Sequence, residues 1–366
     1  MSLNRVFPID RRTVDSSKDF RAAGRLVGAW LLSCCVLIFL MVILGGVTRL
    51  TGSGLSMVNW QPLSGVIPPL SVEDWQVEFQ NYQHSPEFKK VNFGISLESF
   101  KVIFYYEYAH RMLGRLIGLV FLVPFVLLWW QRLLAPALAG RLLIVFVLGG
   151  LQGLLGWYMV KSGLVDIPSV SPYRLTMHLA LAVVLYSYLW WLTLSQLLDD
   201  ACAGSAAWRR HTALSLSALV FLVVLTGGFV AGLKAGHAFN TFPLMAGQWL
   251  PPGYWALDPV WRNLFENIPA VQFNHRLLAL VTLLLLVGFI VAAWSKTHSA
   301  WQRWLLLVFG GVALAQVVLG VTTLLLHVPV VLGAAHQAGA LLLLTIGLSI
   351  AFCGRSSGHQ RIREGQ

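Results

Sequence analysis

Long apolar runs and short polar breaks alternate through this chain eight times. The runs cover about 26–48, 110–130, 141–160, 174–196, 213–235, 275–295, 303–326 and 334–353. Each is close to the ~20 residues that carry an α-helix across a bilayer. The pattern predicts an all-α integral membrane protein with eight transmembrane helices. The longest break, 49–109, is polar and aromatic, and its counterpart in the second half, about 236–274, is shorter. An even number of crossings puts the polar segment 1–25 and the tail 354–366 on one side.

Composition agrees with the pattern. The 366 residues are 57% hydrophobic and 11% charged, with mean hydropathy +0.70, outside the range of soluble globular chains. A net charge of +11 would suit a nucleic-acid partner, but the basic residues are scattered and flank apolar runs, so none is expected. Of the 26 Lys and Arg, 15 fall in the N-terminal segment, the connections near 131–141, 197–212 and 296–303, and the tail. The other 11 share the side of the long loop, and long loops weigh little in setting orientation. Both termini are therefore assigned to the cytoplasm. Cys34, Cys35, Cys202 and Cys353 form no CxxC or CxxCH, which argues against covalent heme attachment and a cysteine zinc site. No disulfide is assigned.

The two halves align. Gly45-Gly46-Val47-Thr48-Arg49 matches Gly227-Gly228-Phe229-Val230-Ala231, and Asn59-Trp60-Gln61-Pro62-Leu63 matches Asn240-Thr241-Phe242-Pro243-Leu244. Glu107-Tyr108-Ala109-His110-Arg111 matches Gln272-Phe273-Asn274-His275-Arg276, and Met177-His178 matches Ala335-His336. Two tandem-repeat four-helix bundles are predicted, 26–200 and 213–353, joined by a cytoplasmic linker at 201–212. With four crossings per repeat, the halves share one orientation.

That register makes the histidines informative. His110, His178, His275 and His336 lie at or near the outer ends of runs pointing the same way. One intramembrane imidazole is compatible with packing or a proton path. Four in matching places suggest two bis-histidine metal sites, most simply two hemes, housed between facing helices. Zinc fits poorly, because two imidazoles per bundle leave its shell short. Gly45, Gly46, Gly114, Gly118, Gly149, Gly150 and Gly153 would open room in the first half, and Gly227, Gly228, Gly310, Gly311 and Gly320 in the second. Arg49, Arg111, Arg115, Arg174 and Arg276 are candidates for holding propionates or lining the pockets; interfacial snorkelling is the alternative. His84, His237 and His327 lack clean repeat partners and are read as non-ligands, and His211, His298 and His359 as cytoplasmic surface residues.

One asymmetry stands out. Glu107 precedes His110 by three residues, whereas its counterpart is Gln272. A carboxylate can take up a proton or stabilise a cation where an amide cannot. A salt bridge to Arg111 or a helix-start carboxylate is the plainer reading of Glu107. The long first loop could lid the adjacent pocket or dock a partner.

The segments Gly45 to Ser56 and Glu107 to Arg115, together with the later histidines, resemble the heme A synthase family over roughly 25–353. The resemblance implies an oxidoreductase of the bacterial inner membrane that converts heme O to heme A by successive hydroxylations of the C8 methyl to a formyl group, in cytochrome oxidase assembly. It implies His110 and His178 as ligands of the substrate heme, Glu107 as the catalytic carboxylate, and His275 and His336 as ligands of a heme b cofactor. It also implies heme O synthase as substrate donor and an unidentified electron acceptor, sets the chain among membrane lipid, and leaves room for a homo-oligomer. Some family members carry a cysteine pair in the first outer loop; this chain has none there. Two rivals stand beside this reading. They are a di-heme b-type membrane electron carrier and, on the strength of the duplicated bundle, a transporter.

Overall fold

The computed structural model describes residues 16–59, 65–165, 167–198, 207–297 and 299–354, with side chains from residue 24 onward. The readings placed on most of 1–25, on Trp60 to Leu63, on Cys202 and the first half of the linker, on His298, on His359 and on the tail beyond 354 lie outside those residues.

Eight helices among the described residues are long and apolar enough to cross a membrane. They are α1 (Ser16–Leu50), α4 (Leu97–Trp130), α5 (Pro136–Lys161), α6 (Pro172–Leu197), α7 (Ala207–Gly232), α8 (Ile268–Trp294), α9 (Ala300–Leu325) and α10 (Val330–Cys353). The first outer loop adds α2 (Val72–Gln83) and α3 (Pro86–Lys90). Helix starts follow from local chemistry. Proline occupies the first turn of α5, α6 and α8, where its missing N–H is not needed. Asn267 caps α8 through the Ala270 N–H.

The main departure from the sequence reading is α4. It begins at Leu97 rather than near 110, because the Ser96 side chain accepts the Ser99 N–H and caps it there. Its 34 residues span about 51 Å at ~1.5 Å per residue, well beyond a hydrocarbon core of about 30 Å. Glu107 and His110 therefore sit inside one continuous helix, on one face.

The halves pack by the same scheme. In the first, α1 packs on α4 and α6, and α5 on α6; in the second, α7 packs on α8 and α10, and α9 on α10. The inner helices also meet across the seam, α1 with α10, α6 with α7, and α6 with α10. One apolar core, with Leu31, Leu189, Leu286 and Phe309 fully buried, runs through both halves, so the bundles share their inner helices rather than standing apart. Several polar groups on the seam pair with one another or with backbone across it. Tyr186 shares a hydrogen bond with Thr345 at 2.9 Å, Trp190 donates to Ser349 at 3.0 Å, and Gln337 donates to the Val42 carbonyl at 2.8 Å. Cys34, Cys35 and Cys353 are buried and form no disulfide among the described residues.

The first outer loop has a core of its own. Met57, Trp75, Tyr82, Phe100 and Phe104 are buried together, the last two on the extension of α4. The Tyr82 and Phe100 rings stack at 4.9 Å, and Trp75 meets Phe104 edge-on at 5.0 Å, geometries that add to simple area burial. A reciprocal cap between Ser71 and Asp74 starts α2.

Candidate functional site

His110 on α4, His178 on α6, His275 on α8 and His336 on α10 all line one cavity of about 1320 Å³. Each ring lies against a glycine of a neighbouring helix. A Cβ built at Gly45 on α1 would stand 3.1 Å from His110 Nε2, and one at Gly227 on α7 would stand 3.3 Å from His275 Cε1. At Gly156 on α5 it would stand 3.0 Å from His178 Cε1, and at Gly320 on α9, 2.8 Å from His336 Cε1. The four seats repeat in register, and only glycine gives a ring that much room. Gly156 is a residue the sequence reading passed over; its 164-residue spacing from Gly320 was the available signal. The other candidate glycines divide. Gly114, Gly149 and Gly153 line the cavity. Gly46 and Gly228 also reach its wall but make way for Gln337 and Thr176 at the seam. Gly118, Gly150, Gly310 and Gly311 are not on its wall.

The His275 and His336 ring centroids are 6.4 Å apart, with planes at 84°. A metal bonded to one nitrogen of each imidazole at about 2 Å puts two ring centroids roughly 6 Å apart, so this pair fits a shared iron. Nδ1 of His336 is buried without a partner. Among the described residues no three His, Cys, Asp or Glu gather closely enough to hold a metal, which leaves imidazole pairs as the donor sets. Two glutamines, also missed from sequence, secure the helix turns that carry His178 and His336. Gln152 donates to the His178 carbonyl at 3.0 Å, and Gln316 to the His336 carbonyl at 2.7 Å. They too are 164 residues apart.

The turn carrying His110 also holds the acid. Glu107 is buried and lines the cavity. Its Oε1 accepts from Arg111 at 2.6 Å, and its Oε2 accepts from the Ser56 hydroxyl at 2.8 Å and the Met57 N–H at 2.9 Å. Arg111 further donates to the carbonyls of Met57 and Asn59 at 3.0 and 3.2 Å. In the second half Arg276 grips the carbonyls of Phe239 and Thr241 at 2.6 and 2.8 Å. There Gln272 donates to the Phe239 carbonyl at 3.2 Å. The arginines thus clamp the outer loops alike in both halves, while the residue one turn before them accepts in one half and donates in the other.

The remaining arginines separate. Arg49 lines the cavity and donates to the Ala231 and Gly232 carbonyls at 2.9 and 3.4 Å, tying α1 to α7. Arg115 also lines the cavity. Arg174 does not. Its guanidinium lies 3.8 Å over the Tyr158 ring and donates to the Tyr158 carbonyl at 2.8 Å. Of the histidines read as non-ligands, His84 bonds the Gln80 carbonyl at an exposed site. His237 reaches the cavity rim but is exposed.

The first outer loop closes over the cavity, contributing Met57, Val58, Glu87, Val91, Asn92 and Ile95 to its wall. Glu87 is a second acid that sequence reasoning missed. It is buried, its Oε2 accepts from the Tyr82 hydroxyl at 3.1 Å, and Asn92 donates to that hydroxyl at 2.7 Å. Burial pushes the Glu87 carboxyl up to about 7, with Glu107 adding to the rise and Tyr82 and Lys234 opposing it. An acid raised on folding contributes stability that is complete below its ordinary value of 4.5 and is lost as pH rises through about 7. Amide exchange in α2 and α3 is therefore expected to quicken between pH 5 and 8, and Glu87→Gln to flatten that dependence. An unchanged pH profile in the variant would remove Glu87 as the cause.

Residues 28–348 match the cytochrome oxidase assembly protein family. The chain belongs to that family. A heme A synthase of Nitrosospira multiformis is 48% identical over 330 residues, covering 89% of this chain and 93% of the relative. The relative named heme A synthase COX15 in Arabidopsis thaliana is 46% identical over 343 residues, covering 89% and 74%. The human protein of the same name is 45% identical over 339 residues, covering 89% and 82%. Similarity of this cytochrome oxidase assembly family member thus extends to its mitochondrial branch.

Proposed function

We propose that this protein is a heme A synthase of the bacterial inner membrane, with both termini cytoplasmic, oxidising the C8 methyl of heme O to a formyl group. The reading is carried by the chemical difference between two matched histidine pairs, a fixed carboxylate beside one and an amide beside the other. His110 and His178 hold the substrate heme, and His275 and His336 hold heme b. When bound, heme b supplies a one-electron redox centre for passing electrons from the oxidation to an external acceptor. Glu107 faces the first pocket with its orientation set by three donors, so it presents negative charge, or a proton acceptor, at a fixed place. Arg111 neutralises part of that charge and binds the loop above. The loop residues on the wall, Met57, Val58, Glu87, Val91, Asn92 and Ile95, limit access to the reacting methyl, and a water admitted there supplies the formyl oxygen as electrons leave through heme b and protons are taken up. Apolar wall residues such as Met41 and Ile117 suit the farnesyl tail of heme O, delivered by a heme O synthase.

Extraction and chromatography of the hemes from the purified protein test this. Heme b together with heme O or heme A is expected. Two hemes b per chain and no other heme would favour the di-heme electron carrier instead.

A further inference from the structure

The two halves differ at a second place, one residue before the glycine seats. Thr226 on α7 precedes Gly227, and the matching residue before Gly45 on α1 is Leu44. The Thr226 hydroxyl donates to the Val223 carbonyl at 2.8 Å and stands 2.8 Å from His275 Nδ1. Its single proton is committed to the carbonyl, so the hydroxyl can only accept from the ring. That places the proton of neutral His275 on Nδ1 and leaves the Nε2 lone pair for a metal. Leu44 offers His110 no such acceptor.

The rings differ as well in what they present to their glycines. His275, His178 and His336 each present Cε1, whereas His110 presents Nε2 to Gly45.

We propose that Thr226 makes His275 a fixed ligand, whereas His110, beside Leu44, is the exchangeable ligand through which the first pocket loads and releases its heme. This rests on the heme reading of the two histidine pairs. It fits the division of labour between them. A resident cofactor needs a preset imidazole, and a hydrogen-bond partner behind a metal-bound histidine is typically worth about 10- to 100-fold in affinity. A substrate that must leave as product is better served by a ligand that carries no such lock. Thr226 is a positioning residue in this account.

The test uses the full-length protein purified with its hemes and challenged with excess heme-scavenging apoglobin. Release of each heme is followed by absorbance and by chromatography of what remains. Wild type is expected to lose heme O or A quickly and heme b slowly. Thr226→Val, which keeps shape and removes the hydroxyl, should speed heme b release about tenfold or more. Thr226→Ser should restore the slow rate. Leu44→Thr should slow release from the first pocket, a gain that damage to the fold would not produce. A Thr226→Val protein with wild-type thermal unfolding and unchanged heme b release would overturn the proposal, as would a Leu44→Thr protein with unaltered fast release. A preparation with heme b in both pockets would sink the synthase reading alone. The ligand asymmetry would then still require two release phases, the slow one quickened by Thr226→Val and the fast one slowed by Leu44→Thr.

Discussion

Glu107→Gln is expected to leave both histidine pairs loaded with heme while cutting formyl product by about 100-fold or more, the range for losing a positioned acid–base group. Removing one member of a buried ion pair ordinarily costs several kcal/mol, about 3–5, and could unfold the site. The second half shows why this substitution is milder. Gln272 occupies the matching position, buried and followed one turn later by Arg276, whose two terminal nitrogens donate to the carbonyls of Thr241 and Phe239. Arg111 already holds the equivalent grip on Met57 and Asn59. Glu107→Gln therefore recreates a turn this protein already folds. Heme content and absorbance should match wild type, and chromatography should show heme O without heme A. Normal heme A yield would remove Glu107 from the chemistry.

The second large effect is expected at a glycine. Gly320→Val should abolish heme binding by the second pair, because even its Cβ would come within 2.8 Å of His336 Cε1. The ring would have to leave the position from which, in the proposed function, it shares a metal with His275. Overpacking of this kind costs about 1–3 kcal/mol, up to roughly 100-fold in occupancy, and the two further methyls of valine deepen it. Gly320→Ala should weaken retention without ending it. Gly150→Ala on α5 meets nothing within 4 Å and lies off the cavity wall, so its heme content should equal wild type. Equal heme loss in Gly320→Val and Gly150→Ala would mean that helix packing, not the imidazole seat, was being read.

Much of this architecture was legible in the sequence for physical reasons. Apolar length announces a bilayer crossing without ambiguity, and a polar ring within it is costly enough that four in register called for a common cause. The structure puts all four on one cavity. The start of α4 was less legible. Residues 97–109 carry Glu98, Lys101 and Glu107 among aromatics, so hydropathy places the boundary too late, although Ser96 and Ser99 supply the cap. Neutral residues were harder still. Gln152, Gln316 and Thr226 matter through the histidine each touches, and that contact is a product of helix packing. Arg174 was ambiguous for the opposite reason: a guanidinium at an outer helix end can turn to a carboxylate or to an aromatic face, and only the fold shows Tyr158 beneath it.

The bonds that hold Glu107 come from the cap itself, from Ser56 and Met57, and Arg111 one turn on clasps that same strand of chain. Lifting the cap to admit a bulky guest would strip the acid of two of its three donors at the same moment. Under the proposed function, the acid is thus fully oriented only while Ser56 and Met57 stay seated against it.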